Sequence, residues 1–205
     1  SATPAQIGAF LVALELTKKS SDPAIVAAVA GALRDAACVI NDGEGVAGEV
    51  VDIVGTGGDG LDTFNVSTAS GIVVAGAGLR VAKHGNRASS SKSGSADILE
   101  ALGCKLNAVN PETVSPMLEP SSSFAFLFAQ TFHPGMKNVA AARKELGVRT
   151  MFNIIGPLIN PAKPSKVIVG VHSKTIGLLM AEALKLTGVK RAWVVCGAMG
   201  LDEVS

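Results

Sequence analysis

The sequence lacks a charge excess and a long hydrophobic run, and each absence excludes a class of protein. Its 205 residues carry 18 Lys and Arg against 17 Asp and Glu, a formal net charge of +1, which excludes a basic nucleic-acid binder and an acidic tail. The longest uncharged run, residues 63–79, contains several hydroxyl and amide side chains. It is also shorter than the ~20 mostly apolar residues of a bilayer span. We therefore expect neither nucleic acid nor a membrane as a partner.

We expect neither a secretion signal nor paired cysteines. The opening residues, SATPAQIGAF, have no basic segment followed by an apolar one, so we expect no secretory signal. Cys38, Cys104 and Cys196 are odd in number and widely separated among apolar residues. That pattern predicts buried, reduced thiols in a cytoplasmic protein.

Glycine is in excess, with 23 residues, and apolar residues make up 48% of the chain, enough for a sizeable core. Thr3-Pro4 and Asp22-Pro23 are signals for an N-cap and a first-turn proline. They predict two successive helices, the second reaching about Ile40, with no strand between them. Such a pair indicates a small helical domain over residues 1–48, which helices of the 95–120 region are candidates to join.

From residue 49 onward, short apolar runs alternate with helical segments. The predicted strands are 50–54, 79–85, Phe124–Phe128, 166–171 and 191–196. The predicted helices include 134–146, closed by a glycine, and 173–188, with two more between the second and third strands. Apolar strands separated by helices indicate a parallel sheet that is covered on both faces. The predicted fold class is α/β, with a larger domain over residues 49–205 around a central, mostly parallel sheet flanked by helices.

A glycine-rich loop, GTGGDG at 55–60, follows the first predicted strand and satisfies the pattern G-x-G-x-x-G. The second strand, however, ends in Lys83-His84 rather than in the acid that a dinucleotide ribose requires. No G-K-[ST] follows, which excludes a triphosphate P-loop. Small residues let backbone N–H groups approach an anion, and residues 65–68 begin a helix whose N-terminus favours phosphate. The alternative is an ordinary strand–helix turn with a Ser or Thr cap.

A second polar segment leaves the second strand. The run KHGNR at 83–87 continues into SSSKSGS at 89–95. Loops after neighbouring parallel strands share the carboxyl edge of the sheet, so we expect both segments to converge on a molecule with several phosphates. The alternative for the second segment is a solvated serine loop.

Taken together, the motifs resemble the anthranilate phosphoribosyltransferase family. In chain order they are GTGGDG, TFNVSTAS, VAKHGNR, SKSGSADILEALG, FLFAQTFHPGMK, RTMFNIIGPLINP and GLDE. The resemblance implies a helical domain joined to an α/β domain, usually as a homodimer. It implies transfer of the phosphoribosyl group of phosphoribosyl pyrophosphate (PRPP) to the amine of anthranilate, with Mg²⁺, in tryptophan biosynthesis. Members of that family continue beyond GLDE, so the chain is expected to be incomplete, especially at its C-terminus.

The resemblance also implies the site residues. Those expected to bind PRPP are Gly55, Gly58, Asp59, Thr63, Asn65, Val66, Ser67, Thr68, Lys83, His84, Gly85, Asn86, Arg87, Ala88, Ser89, Ser90, Ser91 and Ser95. Those expected to meet anthranilate are Gly55, Asn86 and Arg149, and the expected Mg²⁺ ligands are Ser67, Asp202 and Glu203. No acid or base is assigned, because the aromatic amine can attack before it loses its proton. Lys83 and the metal are expected to stabilise the developing charge.

Other interpretations stay open at this point. A pyrimidine nucleoside phosphorylase-like enzyme would bind free phosphate and would not need the pair Asp202-Glu203. An inactive binding protein on the same scaffold is a second alternative. Among the histidines, His84 is open between substrate contact and loop shaping, His133 is interpreted as helix-start packing, and His172 is interpreted as structural because it has no companions.

Overall fold

The computed structural model describes residues 2–41, 46–61, 63–88, 93–119 and 123–204. The α-helices, α1 to α8 in chain order, are Pro4–Leu16, Pro23–Asp35, Val66–Gly76, Ser95–Ala101, Val114–Met117, Ala129–Phe132, Lys137–Leu146 and Lys174–Leu186. The strands, β1 to β5, are Val51–Gly55, Val81–Gly85, Phe124–Phe128, Lys166–Gly170 and Arg191–Val195. Short 3₁₀ turns cover Lys19–Ser21, Leu106–Ala108, Pro134–Met136, Met151–Asn153 and Gly156–Leu158.

The five strands form one sheet in the order β3-β2-β1-β4-β5, and all its pairings are parallel. This confirms the predicted fold class. Successive strands run outward from β1 on one side and from β4 on the other, so the direction of winding reverses between β1 and β4. In open α/β sheets, ligands bind outside the carboxyl ends of the strands at such a reversal.

Apolar side chains cover both faces of the sheet. Along β3, Ala125 and Leu127 belong to one buried cluster, whereas Phe126 and Phe128 belong to another, because successive strand residues point to opposite faces. A third cluster joins residues of α2 and α8 to β4. Full burial of one such side chain contributes about 1.5–3 kcal/mol, so the sheet provides a rigid base for the loops at its carboxyl edge.

The predicted helix starts after Thr3, Asp22 and Ser173 are confirmed. Thr3 caps α1 in a capping box with Gln6, and Asp22 caps α2 by accepting the Ala24 N–H. Ser173 caps α8 in the same way, through the Ile176 N–H. These caps satisfy N–H groups that a helix leaves without internal partners.

The predicted end of α2 at about Ile40 is wrong, because the helix ends at Asp35. The Cys38 N–H donates to the Phe132 carbonyl at 2.7 Å, and Ile40 is buried in the cluster that contains Phe132. These tertiary contacts draw the chain out of the helix before any local stop signal.

The prediction of buried thiols is also wrong for Cys104, which is exposed, while Cys38 and Cys196 are half-buried. Cys104 follows Gly103, whose φ of 87° turns the chain at the surface after α4. All three cysteines are free. None of the described helices is long and apolar enough to cross a membrane.

Helices α1 and α2 pack on α7 and α8, respectively. The division of the chain into domains over 1–48 and 49–205 stays a prediction.

Candidate functional site

The glycine loop after β1 lies across the end of β4. The Thr56 N–H donates to the Gly170 carbonyl at 2.9 Å, and the Gly57 N–H donates to Asp202 Oδ2 at 2.9 Å. Three loop residues have left-handed φ angles of 67°, 81° and 73°, a conformation that favours glycine: Gly57, Gly58 and Gly60. The loop therefore needs its glycines to turn back over the sheet.

Asp202 and Glu203 can lie at the carboxyl edge of the sheet because β1 and β4 both end in glycine, which has no side chain. A Cβ at Gly55 would come 2.6 Å from Asp202 Oδ2, and a Cβ at Gly170 would collide with the Asp202 carbonyl. The glycines that end β1 and β4 thus let the acidic segment contact the glycine loop.

The start of α3 joins the second polar segment. Asn65 Oδ1 accepts the Thr68 N–H at 3.0 Å and the Ser67 hydroxyl at 3.3 Å, while Asn65 Nδ2 donates to the Ser93 carbonyl at 3.1 Å. The Thr68 hydroxyl donates a hydrogen bond to the Ser95 hydroxyl at 2.9 Å. The structure thereby brings together two segments that lie about 27 residues apart in sequence. Thr63 and Val66, on the same approach to α3, are exposed.

Lys83 lies beneath this helix start. Its side chain is 1% exposed, and its Nζ donates to the Ile53 carbonyl at 2.5 Å and to the Ser67 hydroxyl at 3.1 Å. Burial lowers the pKa of Lys83 to about 8, against the opposing charges of Asp52 and Glu203. A buried ammonium beside a helix N-terminus is suited to an anion.

Three carboxyl groups crowd the other side of the loop. Burial, and then the neighbouring Asp202, raises the pKa of Glu203 to about 7. Burial and the charge of Asp59 also raise the pKa of Asp202. Asp59 Oδ1 accepts the Leu61 N–H at 3.1 Å, but Asp59 Oδ2 is buried without a hydrogen-bond partner among the residues that the structure describes.

These carboxyl groups fit a hard divalent cation. Oxygen ligands are what Mg²⁺ prefers, and it is usually held by one or two carboxylates together with waters and substrate phosphates. Within the described ranges, no three His, Cys, Asp or Glu side chains form a metal cage by themselves. A cation here would therefore need further oxygen ligands, such as the Ser67 hydroxyl and a bound phosphate.

The second polar segment is held by ion pairs. Asp97 Oδ2 accepts the Ala88 N–H at 2.8 Å and the Gly94 N–H at 3.1 Å. Arg87 donates to both carboxylate oxygens of Glu100, at 2.5 and 2.9 Å, and to Asp97 at 3.2 Å. The guanidinium expected to meet PRPP is thus paired with acids of α4. Ser89, Ser90 and Ser91, also expected to bind PRPP, lie outside the described residues.

A cavity of about 580 Å³ lies beside the glycine loop, and its lining includes all three residues expected to meet anthranilate. These are Gly55, Asn86 and Arg149. Arg149 Nη2 donates to the Gly58 carbonyl at 2.6 Å, and Nη1 lies 3.1 Å from His172 Nε2. This contact corrects the interpretation that His172 has no companions, while its structural role stays a prediction.

Two further histidines line the cavity. His84 Nδ1 lies 3.3 Å from the Gly156 carbonyl, and the His84 and His133 ring centroids are 5.1 Å apart. Burial, and then His133, lowers the pKa of His84 to about 3, and burial lowers the pKa of His133. Both rings are therefore neutral. Their Nε2 atoms are buried and have no hydrogen-bond partner in the described part of the chain.

Sequence reasoning missed a buried pair beneath the site. Asp52 lies in β1 and is fully buried. Its carboxylate accepts hydrogen bonds from the His84 N–H at 3.3 Å and from Asn160 Nδ2 at 2.8 Å. Asn160 Nδ2 also donates to the Ala82 carbonyl at 2.8 Å. Burial raises the pKa of Asp52 to about 6. The pair ties β1 to the stretch of β2 that carries Lys83, and an acid inside the run VVDIV was the available signal.

The part of the chain that forms the parallel sheet matches a known family. Residues 47–205 match the sequence model of the glycosyl transferase family, a/b domain, and the chain belongs to that family.

Its relatives carry a more specific name. Anthranilate phosphoribosyltransferases of Schizosaccharomyces pombe and Methanosphaerula palustris are 48% and 51% identical to the chain, matching all of it and 57% and 59% of their own lengths. The chain thus spans just under three fifths of these relatives.

Solved structures agree. The Saccharomyces cerevisiae anthranilate phosphoribosyltransferase in complex with PRPP and Mg has a TM-score of 0.90 and 41% identity over 98% of this chain and 55% of that one. The Thermus thermophilus enzyme has a TM-score of 0.85 and 44% identity over 99% of this chain and 59% of that one. The resemblance seen in the sequence motifs is confirmed.

Proposed function

We propose that the chain is the PRPP-binding part of an enzyme that transfers a phosphoribosyl group to the amine of anthranilate, giving N-(5-phosphoribosyl)anthranilate and pyrophosphate in tryptophan biosynthesis. One observation supports this most strongly. The buried cation Lys83 and the acidic group of Asp59, Asp202 and Glu203 lie at the same sheet edge as the cavity that holds Arg149. The names of the relatives point to the same chemistry.

The chemistry follows from where charge develops. As the ribose C1′ loses pyrophosphate it becomes cation-like, while the leaving group gains negative charge. Lys83 offers a fixed positive charge, and the N-terminus of α3 offers the positive end of a helix dipole. Mg²⁺, held by Ser67, Asp202 and Glu203, would supply further positive charge to pyrophosphate oxygens.

Anthranilate binding requires a cation for its carboxylate and a dry surface for its ring. Arg149 offers a planar fork of N–H donors that matches a carboxylate, and neutral His84 and His133 line the same cavity. Holding the amine near C1′ lowers the barrier by positioning alone. The nucleophile can attack as the free amine, so no side chain is assigned as a base.

The experiment is a fluorescence assay on the intact protein. Anthranilate fluorescence should decay only when PRPP and Mg²⁺ are both supplied. Consumption of thymidine with phosphate, and none of anthranilate, would replace the proposal with a nucleoside phosphorylase. Loss of neither substrate would favour a binding protein on the same scaffold. A homodimer and a cytoplasmic location stay predictions.

A further inference from the structure

We propose that His172 is a positioning residue for Arg149: its imidazole fixes the guanidinium in the orientation from which it receives the substrate carboxylate. This inference rests on the proposed function. It concerns a side chain to which neither the sequence motifs nor the family resemblance gives a role.

His172 stands on a rigid base. It follows β4 directly, after Val171, which is fully buried and whose N–H donates to the Val195 carbonyl at 2.9 Å. Arg149 is different, because it is exposed in the connection after α7. An arginine side chain has many rotamers and loses much freedom when it is ordered. A fixed partner that orders it before the substrate arrives therefore strengthens substrate binding.

The hydrogen bond has one possible direction. Arginine only donates, so His172 Nε2 must accept from Arg149 Nη1, and the imidazole is neutral with its proton on Nδ1. The distance is 3.1 Å. Nδ1 is buried, and the described residues offer it no partner.

Two nitrogens of the Arg149 guanidinium each donate to a different acceptor, and these two bonds together fix its plane. Nη1 donates to His172, and Nη2 donates to the Gly58 carbonyl at 2.6 Å. Guanidinium has five N–H groups, so the remaining ones stay available for a carboxylate. Among the residues that the structure describes, loss of the His172 acceptor would leave Arg149 with its hydrogen bond to the Gly58 carbonyl, and the guanidinium could then rotate.

The test compares two substitutions at one position. His172→Leu keeps similar bulk without an acceptor, and His172→Gln keeps an oxygen near the place of Nε2. We expect His172→Leu to raise the KM for anthranilate about tenfold, the value of one hydrogen bond to a charged group. His172→Gln should stay within about threefold of wild type, and kcat and the KM for PRPP should move less than about twofold in both.

A double-mutant cycle shows whether the effect runs through Arg149. In an Arg149→Ala background, His172→Leu should change the KM for anthranilate by less than about twofold. An equal rise in both backgrounds would overturn the proposal. So would an unchanged KM in His172→Leu, or parallel shifts of kcat, both KM values and the unfolding temperature in both variants.

A readout that needs no activity separates this inference from the proposed function. In NMR spectra of the intact protein, the Arg149 side-chain N–H signals should show restricted rotation in wild type and His172→Gln, and lose it in His172→Leu. If wild type does not consume anthranilate, the proposed function fails while this readout still decides the positioning role. Identical Arg149 signals in all three proteins would overturn that role.

Discussion

The two halves of the site differ in how their charges are balanced. Beside the glycine loop, Asp59, Asp202 and Glu203 face one another, and their repulsion adds to burial in raising the pKa values of Asp202 and Glu203. Along the second segment, Arg87 is paired with both Asp97 and Glu100. The carboxyl groups of the first half repel one another, whereas both carboxylates of the second half are paired with Arg87.

The difference indicates which half of the site binds the ligand. Native proteins satisfy most buried polar groups, so a buried unpartnered oxygen such as Asp59 Oδ2 needs a specific explanation. Strongly shifted pKa values cluster at functional sites. We therefore assign ligand binding mainly to the acidic half with Lys83, and loop support mainly to Arg87, Asp97 and Glu100. The predictions below test that division.

The largest effect is expected at Lys83. Lys83→Met should lower kcat/KM by about a thousandfold, because it removes a preorganised charge near the leaving group. The free energy of unfolding should fall by about 1–3 kcal/mol, because the buried Ile53 carbonyl and the Ser67 hydroxyl lose their donor. The matched control is Lys166→Met at the other end of the sheet, where the side chain pairs with exposed Glu49 at 2.6 Å. Its kcat/KM should stay within about twofold of wild type, and an equal loss in both variants would contradict the assignment.

Glu203→Gln should weaken binding while stabilising the free protein. Removing a metal-ligand charge should raise the KM for PRPP about tenfold at fixed Mg²⁺. Because the folded pKa of Glu203 is raised to about 7, its ionisation destabilises the fold as the pH rises through that value. With the discount for its partial exposure, the variant should gain about 1 kcal/mol of unfolding free energy near pH 8. The gain should vanish below the ordinary carboxyl range, and denaturant melts at both pH values check it.

In contrast to Glu203→Gln, Asp97→Ala should lower the stability of the free protein and change PRPP binding only a little. It leaves the Ala88 and Gly94 N–H groups without their acceptor, which should cost about 1–2 kcal/mol of unfolding free energy. The KM for PRPP should rise only about threefold, because the loop loses support but no ligand charge. Glu100→Ala, at an exposed pair, is the control and should cost under about 0.5 kcal/mol. A larger loss of activity here than in Glu203→Gln would reverse the division of roles.

The smallest effect concerns the pH dependence of stability at His84. Its folded pKa is lowered to about 3, so the unfolded chain takes up the proton first as the pH falls below the ordinary histidine range. The neutral ring therefore contributes stability at neutral pH that is lost on acidification. Between about pH 7.5 and 5.5, wild type should lose about 1 kcal/mol more unfolding free energy than His84→Gln. Parallel pH profiles would show that His84 is not protected from protonation.

Local signals predicted most of the fold. The five predicted apolar runs correspond to the five strands, and Thr3 and Ser173 cap helices as expected. These signals act over a few residues, so the local sequence is enough to recognise them. The end of α2 and the exposure of Cys104 were mispredicted, since long-range contacts at Cys38 and a surface turn at Gly103 decide them.

For parts of the site, the sequence could predict only that the residues lie at the carboxyl edge of the sheet. Parallel strands bring their carboxyl ends together, and this places Lys83 and Asp202 near the glycine loop. The bond from Asn160 to Asp52 and the bond from Arg149 to His172 join side chains far apart in sequence. No local pattern encodes such pairs, and the sequence likewise did not indicate that Arg87 is held by α4.

Ligand-linked stability tests the central claim most directly. The unfolding temperature of the intact protein should be measured with PRPP alone, with Mg²⁺ alone, with both together, and with phosphate and thymidine. A ligand that binds the folded state at about a hundred times its Kd stabilises it by about 2.7 kcal/mol. The account predicts a clear rise with PRPP and Mg²⁺ together that falls to about half in Glu203→Gln at the same ligand concentrations. A rise with phosphate and thymidine, and none with PRPP and Mg²⁺, would contradict it.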